Sequence, residues 1–371
     1  MRVGIPTEIK NNEYRVAITP AGVAELVHRG HEVIIQSGAG EGSAISDADF
    51  KRVGAQLISG ADQVWAETEL LLKVKEPIEA EYNRMRKGQT LFTYLHLAAS
   101  KPCTDALMAS GTTSIAYETV QTADGALPLL APMSEVAGRL SAQVGAYHMM
   151  RSHGGRGVLM GGVPGVAPAD VVVIGGGTAG YNAARVAAGM GAHVTVFDVN
   201  INKLREVDAE FGGRIETRYS SILELEDAVK KADLVIGAVL VPGAKAPKLV
   251  SNDLVKRMKP GSVLVDIAID QGGCFEDSHP TTHADPTYPV HDTVFYCVAN
   301  MPGAVPLTSS QALNNATLPF GLALAGHGFA AVTQNPHLRA GLNVHRGHIT
   351  NKAVADSLGL SCAPIEGVIA A

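Results

Sequence analysis

Short apolar runs and amphipathic stretches alternate along most of this chain. Residues 2–5 are a short apolar run, and Thr19-Pro20 supplies an N-cap with proline at the first helical position, which predicts a helix to about residue 29. Apolar runs at 31–36, 70–75, 90–96 and 113–117 read as strands, with helical patterns between them. Strands spaced by helices of this length form βαβ crossovers, and so a parallel sheet covered on both faces. After a long helical pattern over 132–151 the alternation resumes. Strands are predicted at 171–174, 193–197, 234–240, 263–269 and 295–299, and helices at 178–189 and 223–231. Beyond Pro306 the pattern is helical, at 312–325 and 353–358, and no further strand is predicted. Such a tail cannot build its own sheet and is expected to pack on the first domain. The fold class is therefore α/β, with two doubly wound, parallel-sheet, Rossmann-like domains separated by a cleft. One comprises residues 1–128 with 307–371, the other residues 129–306.

Composition narrows the function classes. A chain of 371 residues exceeds what one hydrophobic core usually holds, which agrees with two domains. With 46% hydrophobic and 18% charged residues it is globular, and a net charge of −6 argues against a nucleic-acid or anionic-membrane partner. Cys103, Cys274, Cys297 and Cys362 form no CxxC pair, as expected of reduced thiols in a cytoplasmic protein. No uncharged apolar run is long enough to span a bilayer; the best, around 158–180, is broken by Pro164, Pro168 and Asp170. The opening residues carry no apolar run of the signal-peptide kind.

The segment Val171-Val-Val-Ile-Gly175-Gly-Gly177-Thr178-Ala179-Gly180 reads as strand, GxGxxG and helix. Gly175 permits the tight turn, Gly177 lets the backbone approach a pyrophosphate, and Gly180 allows close helix–strand packing. The phosphate charge then meets the free N–H groups and partial positive charge of a helix N-terminus. A loop cluster of glycines is the bland alternative, and GxGxxG alone is weak. Here Asp198 closes the next strand 18 residues beyond Gly180, close to the ~20 expected for a carboxylate on the ribose diol. A carboxylate there repels a 2′-phosphate, favouring NAD over NADP, with Lys203 nearby acting weakly the other way.

In open α/β sheets ligands bind beyond the carboxyl ends of the strands. Lys75 and His96 end apolar runs of the first domain, Arg15 lies in the loop after its first strand, and Asp270 ends the 263–269 run. Together they offer a guanidinium for a carboxylate, an ammonium for a carbonyl, and two proton carriers, a set suited to oxidising a small amino or hydroxy acid. Each also has a plain reading. Most arginines are solvated, a lysine after a strand is usually a solubilising cap, most of the 13 histidines must be structural, and Asp270 before Gln271-Gly-Gly could be a turn residue. Only their shared position raises them together.

Several segments go further. Arg-Val-Gly-Ile-Pro-Thr-Glu from Arg2, Asn-Glu-Tyr-Arg-Val-Ala-Ile-Thr-Pro to Pro20 and Leu-Leu-Leu-Lys-Val-Lys-Glu-Pro to Pro77 resemble the alanine dehydrogenase family. So do Tyr-Leu-His-Leu-Ala-Ala from Tyr94, Pro-Met-Ser-Glu-Val-Ala-Gly-Arg from Pro132, Asp-Ile-Ala-Ile-Asp-Gln-Gly-Gly from Asp266 and Tyr-Cys-Val-Ala-Asn-Met-Pro to Pro302. The similarity fades only after about Gly326.

The resemblance implies reversible oxidative deamination of L-alanine to pyruvate and ammonium, with hydride passing to NAD. It implies Arg15 on the substrate carboxylate, Lys75 by the carbonyl or amino group, His96 as general acid/base, and Asp270 assisting proton transfer. It implies cofactor contacts at Ser134, Thr178, Ala179, Asp198, Lys203, Ser220, Val239, Leu240, Ile267, Ala268, Ile269, Asp270, Val298, Ala299, Asn300 and Met301. It also implies a homohexamer and an accessory divalent cation such as Mg on Glu118 and His327. This chain departs from the family pattern at His279, where an arginine is usual on a cofactor phosphate, and at Leu307, usually basic. Two rivals share the architecture, the NAD-binding subunit of proton-translocating transhydrogenase and a lysine- or saccharopine-type dehydrogenase, and a third, from another class, is a catalytically dead NAD-binding regulator. The set Arg15, Lys75, His96 and Asp270 favours the amino-acid enzyme.

Overall fold

The computed structural model describes residues 1–239 and 246–370. Its strands, in chain order, are β1 (Arg2–Ile5), β2 (Glu32–Gln36), β3 (Gln56–Ile58), β4 (Leu70–Leu72), β5 (Thr90–Thr93), β6 (Thr113–Ala116), β7 (Asp170–Ile174) and β8 (His193–Asp198). They continue with β9 (Ile215–Tyr219), β10 (Leu234–Gly237), β11 (Val263–Asp266), β12 (Thr287–Val290), β13 (Thr293–Tyr296), β14 (Leu342–His345) and β15 (His348–Ile349). The chain divides into two compact units, residues 1–133 with 305–371 and residues 134–304. Among the described residues no helix is long and apolar enough to cross a membrane.

The first unit holds an eight-stranded sheet in the order β15-β14-β6-β5-β4-β1-β2-β3. Its central strands pair in parallel, and β4 is buried along its whole length, as a strand covered on both faces requires. Ile34, Trp65, Leu71, Leu91, Leu95, Leu107 and Val344 meet in one of its hydrophobic clusters. The second unit holds a seven-stranded sheet, β12-β13-β11-β10-β7-β8-β9, with Val172, Phe197, Val235, Leu264, Phe275 and Phe295 in a core cluster. Counting the parallel strands alone, both sheets follow the doubly wound order 3-2-1-4-5-6, with β12 added antiparallel at the edge of the second. The order reverses between β1 and β4 in one and between β7 and β10 in the other, the places where such sheets open a crevice for ligands.

The tail differs from expectation. β14 pairs antiparallel with β6, Leu342 opposite Ile115 and Val344 opposite Ser114, and β15 closes a hairpin on it. Leu-Asn-Val-His is only four residues long and its two polar residues hide the apolar pattern, yet all four are buried. The partner that makes it a strand lies far away in sequence. β3, β9 and β12, equally short or polar, were not predicted either. Several expected strands also stop early. The runs at 70–75, 90–96 and 263–269 leave the sheet at Leu72, Thr93 and Asp266, and the last passes into a 3-10 helix, Ile267–Gln271.

Candidate active site

In the first unit, chemistry gathers where β1, β4 and β5 end. The segment that carries Arg15 is pinned by the helix Pro306–His327: Val16 N donates to Ser310 Oγ at 3.0 Å and Thr19 N to Asn314 Oδ1 at 3.1 Å. Arg15 is no solvated surface group. It is 2% exposed, gripped by the Glu13 carboxylate through Nε (2.7 Å) and Nη2 (2.5 Å), while Nη1 donates to Met133 Sδ at 3.1 Å. Burial works against its charge, but Glu13 outweighs burial and its pKa is raised. Sequence reading missed Glu13, although a carboxylate two residues from a buried guanidinium is its natural partner.

The stretch after β4 runs on beside β5. Lys73 N donates to the Phe92 carbonyl, Tyr94 N to the Val74 carbonyl, and Thr93 Oγ1 to the Lys75 carbonyl. Lys73 is 1% exposed between Glu8 (3.1 Å) and Glu81 (2.8 Å), and Glu8 also accepts from Val74 N. Burial disfavours the Lys73 charge, the two carboxylates more than restore it, and its pKa rises. This knot fixes the loop that presents Lys75, which is itself buried, and Glu76.

His96 follows β5 by three residues in the left-handed region, φ +48. Its amide and that of Leu95 donate to Glu118, at 2.7 Å for His96. Its Nδ1 lies 3.3 Å from Glu76 Oε2, and its ring stacks on Tyr94 with centroids 6.0 Å apart. Glu118 thus spends its carboxylate on backbone amides. His327 ends its helix and lines a separate groove with Glu25, Arg29 and His31. Among the described residues no group of three or more His, Cys, Asp or Glu is arranged to hold a metal. Neither Glu118 nor His327 belongs to such a group.

In the second unit β7 runs into the glycine turn, and the helix Thr178–Gly189 leaves it. Gly175 has φ +102, and a Cβ there would stand 2.9 Å from the Ala238 carbonyl oxygen and 3.0 Å from Val239 Cγ2. A Cβ on Gly180 would sit 1.7 Å from the Gly175 oxygen, whereas one on Gly177 would meet nothing within 4 Å. The turn is therefore packed from behind and open at Gly177. Gly177 is the helix N-cap and has no side chain to occupy the first amides. Asp198, at the end of β8, accepts from Gly176 N at 2.6 Å and Asn200 N at 2.7 Å, so it also latches the turn. Lys203 is turned to Glu206 at 2.8 Å, and Ser220 N donates to the Asp198 carbonyl.

The other predicted contacts lie on a long helix and on the segments that follow β11 and β13. Ser134 lies on the helix Ala131–His148, whose Gly138 would, with a Cβ, approach Ala179 O to 2.1 Å. From that helix Arg139 Nε donates to Asn182 Oδ1 at 2.9 Å. Ile267, Ala268, Ile269 and an exposed Asp270 form the 3-10 helix after β11. Buried Asp266 holds this loop, accepting from the amides of Ala268, Cys274 and Phe275 and from Ser278 Oγ. Sequence reading missed it. Val298, Ala299, Asn300 and Met301 follow β13, with Ala299 N on the Thr281 carbonyl and Asn300 at φ +63. His279 stacks on Tyr288 at 3.7 Å. Leu240 lies outside the described residues. An open glycine turn, an uncapped helix start and a carboxylate at the next strand end suit a dinucleotide.

The alanine dehydrogenase/PNT N-terminal domain model matches residues 4–137, and the corresponding C-terminal domain model matches residues 141–352. The chain belongs to the alanine dehydrogenase/PNT family. An alanine dehydrogenase of Mycolicibacterium smegmatis is 80% identical over 97% of both chains. A solved L-alanine dehydrogenase superposes with a TM-score of 0.94 at 51% identity, covering 97% of this chain and 99% of its own. A transhydrogenase from Sinorhizobium meliloti gives 0.80 at 25% identity, covering 95% and 100%. Within this family the full-length identity to alanine dehydrogenases far exceeds that to the transhydrogenase.

Proposed function

We propose that this family member catalyses the reversible oxidative deamination of L-alanine to pyruvate and ammonium with NAD. The observation that supports the substrate is the buried guanidinium of Arg15, within electrostatic reach of Tyr94 on the segment that leads from β5 to His96, with buried Lys75 on the segment that follows β4. A buried cation held by one carboxylate is preorganised for a second, here the substrate's. The Lys75 ammonium lies with the amino or oxo group and stabilises negative charge developing on oxygen. His96 takes a proton from the water that adds to the imine carbon and returns one as ammonia leaves, with Asp270 assisting. Imidazole suits this exchange because it changes charge near neutral pH. NAD, when bound, accepts the hydride from the alanine α-carbon. Ser134, the turn from Gly175 to Gly180, Asp198, Ser220, Val239 and the loops 267–270 and 298–301 would hold it. We read the protein as a cytoplasmic homohexamer, to be checked by light scattering; three buried cysteines and exposed Cys362, all unpaired, agree with a reducing compartment.

Purified protein should reduce NAD with L-alanine at alkaline pH and not with L-lysine or L-lactate, and should aminate pyruvate using NADH. No alanine turnover would sink the assignment, and hydride exchange between two nicotinamides without alanine would favour the transhydrogenase rival. Asp198→Ala should raise KM for NAD by about 10- to 100-fold, the ~1.4–3 kcal/mol of charge-assisted hydrogen bonds lost, and narrow the NAD/NADP preference. An unchanged preference in parallel NAD and NADP titrations would refute the ribose role.

A further inference from the structure

We propose that Glu76 is a positioning residue for His96, fixing the proton on Nδ1 and so leaving Nε2 to exchange protons with the substrate. The inference rests on the acid/base role of His96.

Three contacts orient the imidazole. Glu118 holds the Leu95 and His96 amides, locking a non-glycine residue at φ +48. Such backbone strain, of about 1–3 kcal/mol, persists only where surroundings over-determine it, and it clusters at functional sites. Tyr94 stacks on the ring and is itself anchored by its hydroxyl, which donates to the Leu129 carbonyl at 2.5 Å. Glu76 meets the ring edge, with Oε2 3.3 Å from Nδ1. In a protein without substrate such a contact is often long and tightens in the complex.

The Glu76 carboxylate is built to stay charged. Its side chain is 11% exposed, and burial alone would raise its pKa. His96 on one oxygen and Lys10 on the other reverse this and hold it down to about 2. Tyr82 and Cys103, both with pKa values pushed up to about 12 chiefly by burial, also feel the Glu76 charge, and Glu118 and Tyr94 face His96. An ionised carboxylate facing Nδ1 favours the Nδ1–H tautomer and stabilises the imidazolium formed when Nε2 takes a proton. Since Glu76 directly follows Lys75, one loop carries both the substrate cation and the carboxylate that orients the base.

The test is Glu76→Gln, Glu76→Asp and Lys10→Met, read by kcat and KM for alanine across pH and by NMR of the protein with isotopically labelled histidine. Glu76→Gln should lower kcat about 10- to 100-fold with KM for alanine changed less than about threefold, and move the acidic limb of the pH profile down by about one unit. Glu76→Asp should recover part of kcat. Lys10→Met, at a half-exposed rim position, should move the limb the other way, because the carboxylate then acts on His96 without its cation. A Glu76→Gln limb that does not move, or a Lys10→Met limb that moves down, overturns the proposal. The NMR arm separates this failure from failure of the reaction assignment. Whether or not alanine turns over, wild-type His96 should show the Nδ1–H tautomer and Glu76→Gln, which offers Nδ1 a neutral amide oxygen or an NH2 donor in place of the carboxylate, should show less of it; an Nε2–H tautomer in wild type refutes the role of Glu76.

Discussion

Lys73→Met should lower the thermal midpoint by about 10 °C, the largest stability effect expected of a single side chain here. The ammonium is 1% exposed and is shared by Glu8 and Glu81, whose side chains are each 3% exposed. Removing it leaves two buried carboxylates facing each other without a cation. Breaking a buried pair from one side costs about 3–5 kcal/mol, and in a unit of this size each kcal/mol shifts the midpoint by about 2–4 °C. The pKa of Glu8 is already raised by burial, with Lys73 opposing, so losing Lys73 pushes Glu8 toward the neutral acid. The loss should therefore shrink in mildly acidic buffer, where protonation relieves the repulsion. The control is Lys73→Met combined with Glu8→Gln and Glu81→Gln. A glutamine carbonyl can still accept from Val74 N and Ile78 N, as the carboxylates do, and this triple variant should recover most of the midpoint. A single variant melting within about 2 °C of wild type by circular dichroism would show that the knot contributes nothing.

The same residues show what sequence reasoning reaches and where it stops. The glycine turn and the helix Thr178–Gly189 were legible because their determinants are local: three glycines with separate steric tasks and a helical period behind them. The parallel sheets were legible because buried strands such as Leu70–Leu72 are continuously apolar. What escaped depends on partners distant in sequence. Leu342–His345 becomes a strand only against Thr113–Ala116. His96 does not end its strand; its left-handed turn is set by Glu118, 22 residues away. Asp270 likewise stands on a 3-10 helix whose loop is tied by buried Asp266. One available signal was overlooked. A lysine directly after three leucines at the centre of a parallel sheet cannot reach water easily, so Lys73 demanded acidic partners, and Glu8 and Glu81 were the acids to look for.

His96→Ala should abolish alanine turnover while leaving NADH binding near wild type. General acid/base transfer contributes about 10²–10⁴-fold, and the fall in kcat should lie in that range. The cofactor should be unaffected because the glycine turn, Asp198 and their hydrogen bonds all belong to the second unit, whereas His96 belongs to the first. Alanine at φ +48 keeps the about 1–2 kcal/mol of left-handed strain that His96 already bears while losing the ring contacts that help to hold it, so the loop that Glu118 clamps is disturbed most easily here. His96→Gly removes that ambiguity, since glycine adopts this conformation without a Cβ penalty. Both variants should be inactive to a similar degree, which separates loss of imidazole from loss of loop geometry. Added imidazole should restore part of the activity of His96→Gly, where the missing ring leaves space between Tyr94 and Glu76. NADH fluorescence titration alongside steady-state kinetics decides the matter. A His96→Gly enzyme retaining a tenth or more of wild-type kcat would end the acid/base assignment, and with it the reason for Glu76 to face that ring.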